Sequence, residues 1–159
     1  MTDFMYTANS GGSGVMGFWI GRDRKLTAVR GSPFAAGMDA TSLTLDRSGR
    51  HLYTGTWNDG IFAYSLDSRS GTLRPVRGSP FKTGEGPTTI AISADDQYAY
   101  AANVNGENVT GYRIDAASGA LKPLPWSPFS FPDTPYRIAL NQKRNLAYVV
   151  SRGSLWTFD

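Results

Sequence analysis

The sequence predicts an all-β repeat fold of the β-propeller type, and three observations predict it. Arg30-Gly31-Ser32-Pro33-Phe34 returns as Arg77-Gly78-Ser79-Pro80-Phe81 and, altered, as Trp126-Ser127-Pro128-Phe129, at intervals of 47 and 48 residues. Tyrosines keep the same period, at Tyr6, Tyr53, Tyr100 and Tyr148. Between them lie only short alternating runs rich in β-branched and aromatic residues, without a helical pattern. A fixed period of this size marks an array of small sheets, each of which packs on its neighbours.

Each repeat carries four strand signals, A to D from inner to outer. B holds the tyrosine, over residues 4–9, 52–57, 98–103 and 146–151. C follows a short Gly/Asn-rich turn, over 15–20, 61–66, 109–114 and 155–158, with an aromatic at Phe18, Tyr64, Tyr112 and Phe158. Turns such as Ser68-Arg69-Ser70-Gly71 and Ala116-Ala117-Ser118-Gly119 lead to D, over 26–30, 73–77 and 121–124. Pro75, Pro123 and Pro125 suit an outer strand, because proline has no N–H to give a ladder. The Gly-Ser-Pro-Phe element is then expected to lead the chain off the blade edge, its Phe packing between neighbouring blades. A opens the next blade, over 42–45, 89–92 and 137–140.

Read from Met1, the order is B-C-D, then A-B-C-D twice, then A-B-C. That makes 14 strands, or three and a half four-stranded antiparallel blades in one partial domain over 1–159. The blade parts run roughly 1–34, 35–81, 82–129 and 130–159. Propellers close with about four to eight blades, so this expectation is of an incomplete ring. Its exposed strand edges are templates for another chain, which predicts a homo-oligomer.

Composition fits the same class. Hydrophobic residues make up 40% and charged residues 18%, with 18 Gly and 9 Pro among 159 residues. The net charge is +3, but Lys and Arg are scattered through turns, which argues against a nucleic-acid partner. Absent cysteines exclude disulfides, thiolate metal sites and a Cys nucleophile. No segment has the length of a membrane span. No signal peptide is visible, which would mean a cytoplasmic protein if the N-terminus is native.

Several stretches resemble a known family. Tyr6-Thr7-Ala8-Asn9, Tyr100-Ala101-Ala102-Asn103, Ser118-Gly119-Ala120-Leu121-Lys122-Pro123, the Gly-Ser-Pro-Phe elements and residues 84–92 are similar to the YVTN-type repeats of lactonase-like seven-bladed propellers. These include bacterial 6-phosphogluconolactonases of the propeller type and the fungal carboxymuconate-lactonising enzyme. The resemblance covers essentially the whole chain. It implies a ring about twice this long and hydrolysis of a sugar lactone such as 6-phosphogluconolactone, without cofactor or metal. The alternative is a non-catalytic propeller fragment serving as a binding or assembly scaffold. Where the family often carries Pro followed by Arg and His at the start of A, this chain has Pro87-Thr88-Thr89, Pro135-Tyr136-Arg137 and Ala40-Thr41-Ser42. Only Arg137 keeps a basic group there.

In a propeller the B-to-C turns and D-to-A connections share one end, where ligands sit. A lactone hydrolase needs a base to activate water, donors for the oxyanion and a cation for any phosphate. Arg137 is the anion-binding candidate, and Glu85, Asp59 and Glu107 are candidate bases. Tyr136, Asn58, Asn103, Asn105 and Lys82 are candidate substrate contacts. Asn and Asp in tight turns also bond their own backbone, and Arg137 reads equally as a blade-packing residue. His51, the only histidine, falls at the opposite end in the A-to-B turn and reads as structural. Gly11-Gly12-Ser13-Gly14 joins two strands, so it reads as a turn and not a phosphate loop. The tryptophans read as packing between blades, with Trp57 also placed to face a ligand.

Overall fold

The computed structural model describes residues 3–141 and 146–158. Among them are 16 strands and no helix, in four antiparallel sheets that do not close into a ring. The first sheet holds β1 (Asp3–Ala8), β2 (Ser13–Ile20), β3 (Leu26–Ala28) and β4 (Phe34–Met38). The second holds β5 (Ala40–Leu45), β6 (His51–Thr56), β7 (Gly60–Leu66) and β8 (Leu73–Pro75). The third holds β9 (Pro87–Ile92), β10 (Tyr98–Asn103), β11 (Asn108–Ile114), β12 (Leu121–Pro123) and β13 (Phe129–Ser130). The fourth holds β14 (Pro135–Asn141), β15 (Leu146–Ser151) and β16 (Leu155–Phe158).

The fourteen expected strands form, and β4 and β13 are additional. They correct the reading of Gly-Ser-Pro-Phe as the point where the chain leaves the blade. The phenylalanine instead returns to the same edge of strand C: Phe34 pairs with Val15, Phe81 with Ile61, and Phe129 with Val109. The element is an interruption within a continued outer strand. Its backbone cost is met the same way each time. Where the strand bows out, the amide of Gly17, Ala63 or Gly111 would lose its carbonyl partner. The hydroxyls of Ser32, Ser79 and Ser127 accept from those amides at 3.0, 3.0 and 2.9 Å. All three Ser–Pro bonds are cis. In the first two returns the Phe carbonyl comes so close to the residue before its pairing partner that only glycine fits: a Cβ on Gly60 would lie 2.4 Å from the Phe81 oxygen.

The sheets pack face to face, and the core lies in the junctions. The first junction buries Val15 and Phe34 against Leu52, Tyr64 and Leu73. The second buries Tyr53, Ile61 and Val76 against Ala99, Ala101, Tyr112, Ile114 and Leu121. The third joins Ala102 and Val109 to Ile138 and Val149. The phenylalanines of the repeated element do pack between sheets, as their spacing predicts. Tyrosines lace the first two junctions in both directions. Tyr6 donates forward to the Gly71 carbonyl at 2.6 Å, and Tyr53 to that of Gly119 at 3.0 Å. Tyr64 and Tyr112 donate backward to the carbonyls of Ala35 and Lys82. Burial pushes the Tyr6 and Tyr112 hydroxyls up to about 12, so they remain donors at neutral pH.

Threonines do the same for the inner strands. Thr41 donates to the Pro87 carbonyl and Thr88 to that of Tyr136, the latter at 2.7 Å. At the opposite rim, Asp46 is buried with His51, whose Nδ1 lies 2.8 Å from its carboxylate. Burial pushes the Asp46 carboxyl up, but hydrogen bonds from His51, Ser48 and Arg50 outweigh it and hold the carboxyl below its ordinary value.

Replacing Ser79 with Ala leaves the Ala63 amide unpaired, and we expect a loss of about 1–2 kcal/mol in urea unfolding with an unchanged slope. Since the folded state lowers the Asp46 pKa, its stabilisation is complete above the unfolded value of about 4 and is lost as pH falls through the folded value. Urea midpoints measured from pH 6 down to pH 3 should therefore fall less steeply in Asp46→Asn than in the parent.

Candidate functional site

The turns between β6 and β7 and between β10 and β11 meet the connection from β8 to β9 at one end of the array. There they enclose a cleft of about 450 Å³ lined by Trp57, Asn58, Asp59, Lys82, Thr83, Glu85 and Asn105. The cleft sits at the junction of the second and third sheets. Each lining segment is an exposed turn anchored by a buried strand end, the arrangement that lets a rigid scaffold present polar groups.

The anchor is Asn103, the last residue of β10, with no exposed surface. Its amide donates to Asn108 Oδ1 at 2.7 Å and Thr110 Oγ1 at 2.8 Å, and its oxygen accepts from Thr83 Oγ1 at 2.9 Å. Thr110 Oγ1 also accepts from the Gly84 amide at 3.2 Å. The Glu85 carbonyl accepts from the amides of Asn105 and Gly106 at 3.2 and 3.1 Å. The connection carrying Lys82 and Glu85 is thereby fastened to the hairpin carrying Asn105. On the other wall, the Asp59 amide donates to Thr56 Oγ1 at 3.3 Å, and the carboxylate lies against Gly37 of β4.

Of the residues singled out from sequence, the cleft gathers Asn58, Asp59, Lys82, Glu85 and Asn105. Asn103 lies beneath it as its support. Glu107 is exposed with φ of 46°, and its carbonyl accepts from the Phe131 amide at 2.9 Å. Tyr136 is exposed on β14, and its carbonyl accepts from Thr88 and Thr89. Arg137 pairs with Val150, while the next residue, Ile138, packs toward the third sheet. Strand alternation therefore directs Arg137 to the other face of the fourth sheet, apart from the cleft.

Among the described residues the ion pairs are Lys25–Asp23 and His51–Asp46. Lys82, Asp59 and Glu85 belong to neither, so these three cleft-lining residues carry charge without a protein counter-ion among the described residues. Such a set can hold a polyhydroxylated or anionic ligand through charge-assisted bonds, with half-exposed Trp57 as an apolar wall. No three His, Cys, Asp or Glu side chains among the described residues gather as metal ligands. His51 is buried at the opposite rim, with Asp46.

Sequence reasoning did not single out Thr83 and Thr110. For Thr110 a signal existed: the register aligns it with Met16, Phe62 and Trp156. A hydroxyl where the other repeats place a large apolar group points to local polar work.

The family model described as "Lactonase, 7-bladed beta-propeller" matches residues 22–133. No curated protein matches the chain. Among solved structures, the periplasmic gluconolactonase of Pseudomonas aeruginosa superposes with a TM-score of 0.80 at 20% identity, over 98% of this chain and 46% of that one. A candidate 6-phosphogluconolactonase of Bacteroides uniformis gives 0.79 at 20% identity, over 97% and 46%. Hydrazine synthase of Kuenenia stuttgartiensis gives 0.67 at 18% identity, over 97% and 42%. The chain thus spans less than half of each of these proteins, and likenesses at such identities establish the fold alone.

Replacing Asn103 with Ala removes one partner each from Thr83 Oγ1, Thr110 Oγ1 and Asn108 Oδ1. We expect a loss of about 2–3 kcal/mol in chemical unfolding, with faster amide exchange over residues 83–86 and 104–108 read by mass spectrometry.

Proposed function

The chain belongs to the seven-bladed β-propeller lactonase family, and from that premise we propose that it forms part of a lactone hydrolase acting on a sugar lactone such as 6-phosphogluconolactone. The observation that carries this reading is the cleft in which Lys82, Glu85 and Asp59 lie together without counter-ions, flanked by Asn58 and Asn105. Glu85 or Asp59 takes a proton from water as its oxygen adds to the lactone carbonyl. The ring C–O bond then breaks, and the proton passes to the departing oxygen to give a hydroxy acid. Lys82 supplies the cation for a phosphate or for the developing oxyanion. Asn58 and Asn105 hydrogen-bond the sugar hydroxyls, and Asn103 holds the wall in place. Arg137 and Tyr136 on the inner strand of the fourth sheet, and Glu107 in the β10–β11 turn of the third, then serve ligands outside this cleft.

A second reading is favoured by the sheet topology. β1 and β16 each have one free edge among the described residues, which suits a non-catalytic scaffold that assembles with further copies of itself.

Turnover of 6-phosphogluconolactone decides between them. We expect hydrolysis above the spontaneous rate, a kcat lowered about 10²- to 10⁴-fold in Glu85→Gln, and a KM raised about tenfold or more in Lys82→Ala. Loss of turnover in Arg137→Ala with Glu85→Gln unaffected would move the chemistry to the fourth sheet. A spontaneous rate throughout would leave the scaffold.

A further inference from the structure

Asn105 is the one asparagine in this chain that is followed by glycine. That pair carries a chemistry of its own. The glycine amide nitrogen attacks the asparagine carboxamide carbon, because no Cβ shields the approach. A C–N bond forms, ammonia leaves with the transferred proton, and a five-membered succinimide results. Water then opens either imide C–N bond. The product is aspartate or, with the backbone rerouted through the side chain, isoaspartate. Two conditions govern the first step. The attacking amide must give up its hydrogen, so a hydrogen-bonded amide is a poor nucleophile, and the carboxamide must be free to swing over it.

The fold controls both conditions through one neighbouring segment. Asn105 is exposed, in the turn between β10 and β11. The Gly106 amide donates to the Glu85 carbonyl at 3.1 Å, the Asn105 amide to the same carbonyl at 3.2 Å, and the Val104 amide to that of Gly86 at 3.0 Å. The Asn105 carboxamide lies against Gly86, where a Cβ would come within 3.3 Å of its Cγ and Nδ2. Glu85 and Gly86 thus hold the attacking amide and the reacting side chain together. Their own hold comes from beneath, where Thr83 donates to Asn103 Oδ1 and the Gly84 amide to Thr110 Oγ1. Residues 82–86 belong to no strand, and such connections open at lower free energy than the strands they join.

We propose that Asn105 is a self-modification site, converted to aspartate or isoaspartate when the connection 82–86 lifts from the turn. In the closed state the Glu85 carbonyl holds the Gly106 hydrogen and Gly86 blocks the carboxamide. Opening releases both at once. The product adds a third carboxylate to the lining of the cleft, with Asp59 and Glu85 and against the single Lys82, so conversion turns the cleft against anionic ligands. A ligand that bridges Lys82 to Asn105 holds the connection closed and delays the change. The site needs only water, and it stands whether or not the chain hydrolyses a lactone.

The test incubates the full chain and a synthetic peptide of residues 101–110 in mildly alkaline buffer and maps amide-to-acid conversion by mass spectrometry. Conversion is expected at Asn105 ahead of every other asparagine, about tenfold or more slower in the chain than in the peptide. Over sub-denaturing urea its rate should rise in step with Gly106 amide exchange. Thr83→Val, which removes one hydroxyl from beneath the connection, should speed it about three- to tenfold. Where that variant does not fold, the urea series on the parent decides alone. Equal rates in chain and peptide overturn the proposal, because the connection then protects nothing. Faster conversion at another asparagine overturns it too, as does an unchanged rate in folded Thr83→Val or a rate that stays flat while Gly106 exchange rises.

Discussion

Every sheet in this protein has two faces that need covering, and no sheet can cover both alone. That constraint organises the rest. The most buried side chains, Tyr53, Tyr64, Tyr112, Leu52 and Ile61, all lie in junctions between sheets. The hydrogen bonds of the tyrosines and inner threonines follow the same rule, running from one sheet to a carbonyl of the next. In such an array stability is close to a sum of neighbour terms. The central junctions hold the array together, and among the described residues the first and last sheets each have a neighbour on one side only.

Most of this was legible from period and alternation. The tyrosine spacing located β6, β10 and β15, and proline in the outer strands marked their edge position. What escaped was the continuation of the outer strand after Gly-Ser-Pro-Phe. Proline and glycine in sequence argue for an exit from the sheet, and nothing local says that a serine hydroxyl will stand in for the missing carbonyl. That substitution becomes visible only when residues 16 positions apart, such as Ala63 and Ser79, are brought together.

The site was legible in part, for a related reason. Turn membership is a local property, so Asn58, Asp59, Lys82, Glu85 and Asn105 could be assigned to one end of the array. Which of them share a wall depends on which junction they flank and which way each strand faces. Arg137 shows the difference: it belongs to the correct strand end, but β14 lies in the fourth sheet and flanks a different junction. Asn103 shows the converse. An asparagine closing a strand reads as a ligand contact, yet its burial makes it the support for the residues around it.

The tyrosine lacing has a consequence for how such a protein is enlarged. The second sheet carries both a forward donor, Tyr53, and an acceptor carbonyl, that of Gly71, so this unit is self-complementary head to tail. A duplicated copy arrives already able to bond to its parent, whatever the number of copies. The bonds therefore cannot count blades. The number at which a ring shuts is left to the wedge angle set by side-chain volume in the junctions, where Ala99 and Ala101 oppose Tyr53 and Ile61.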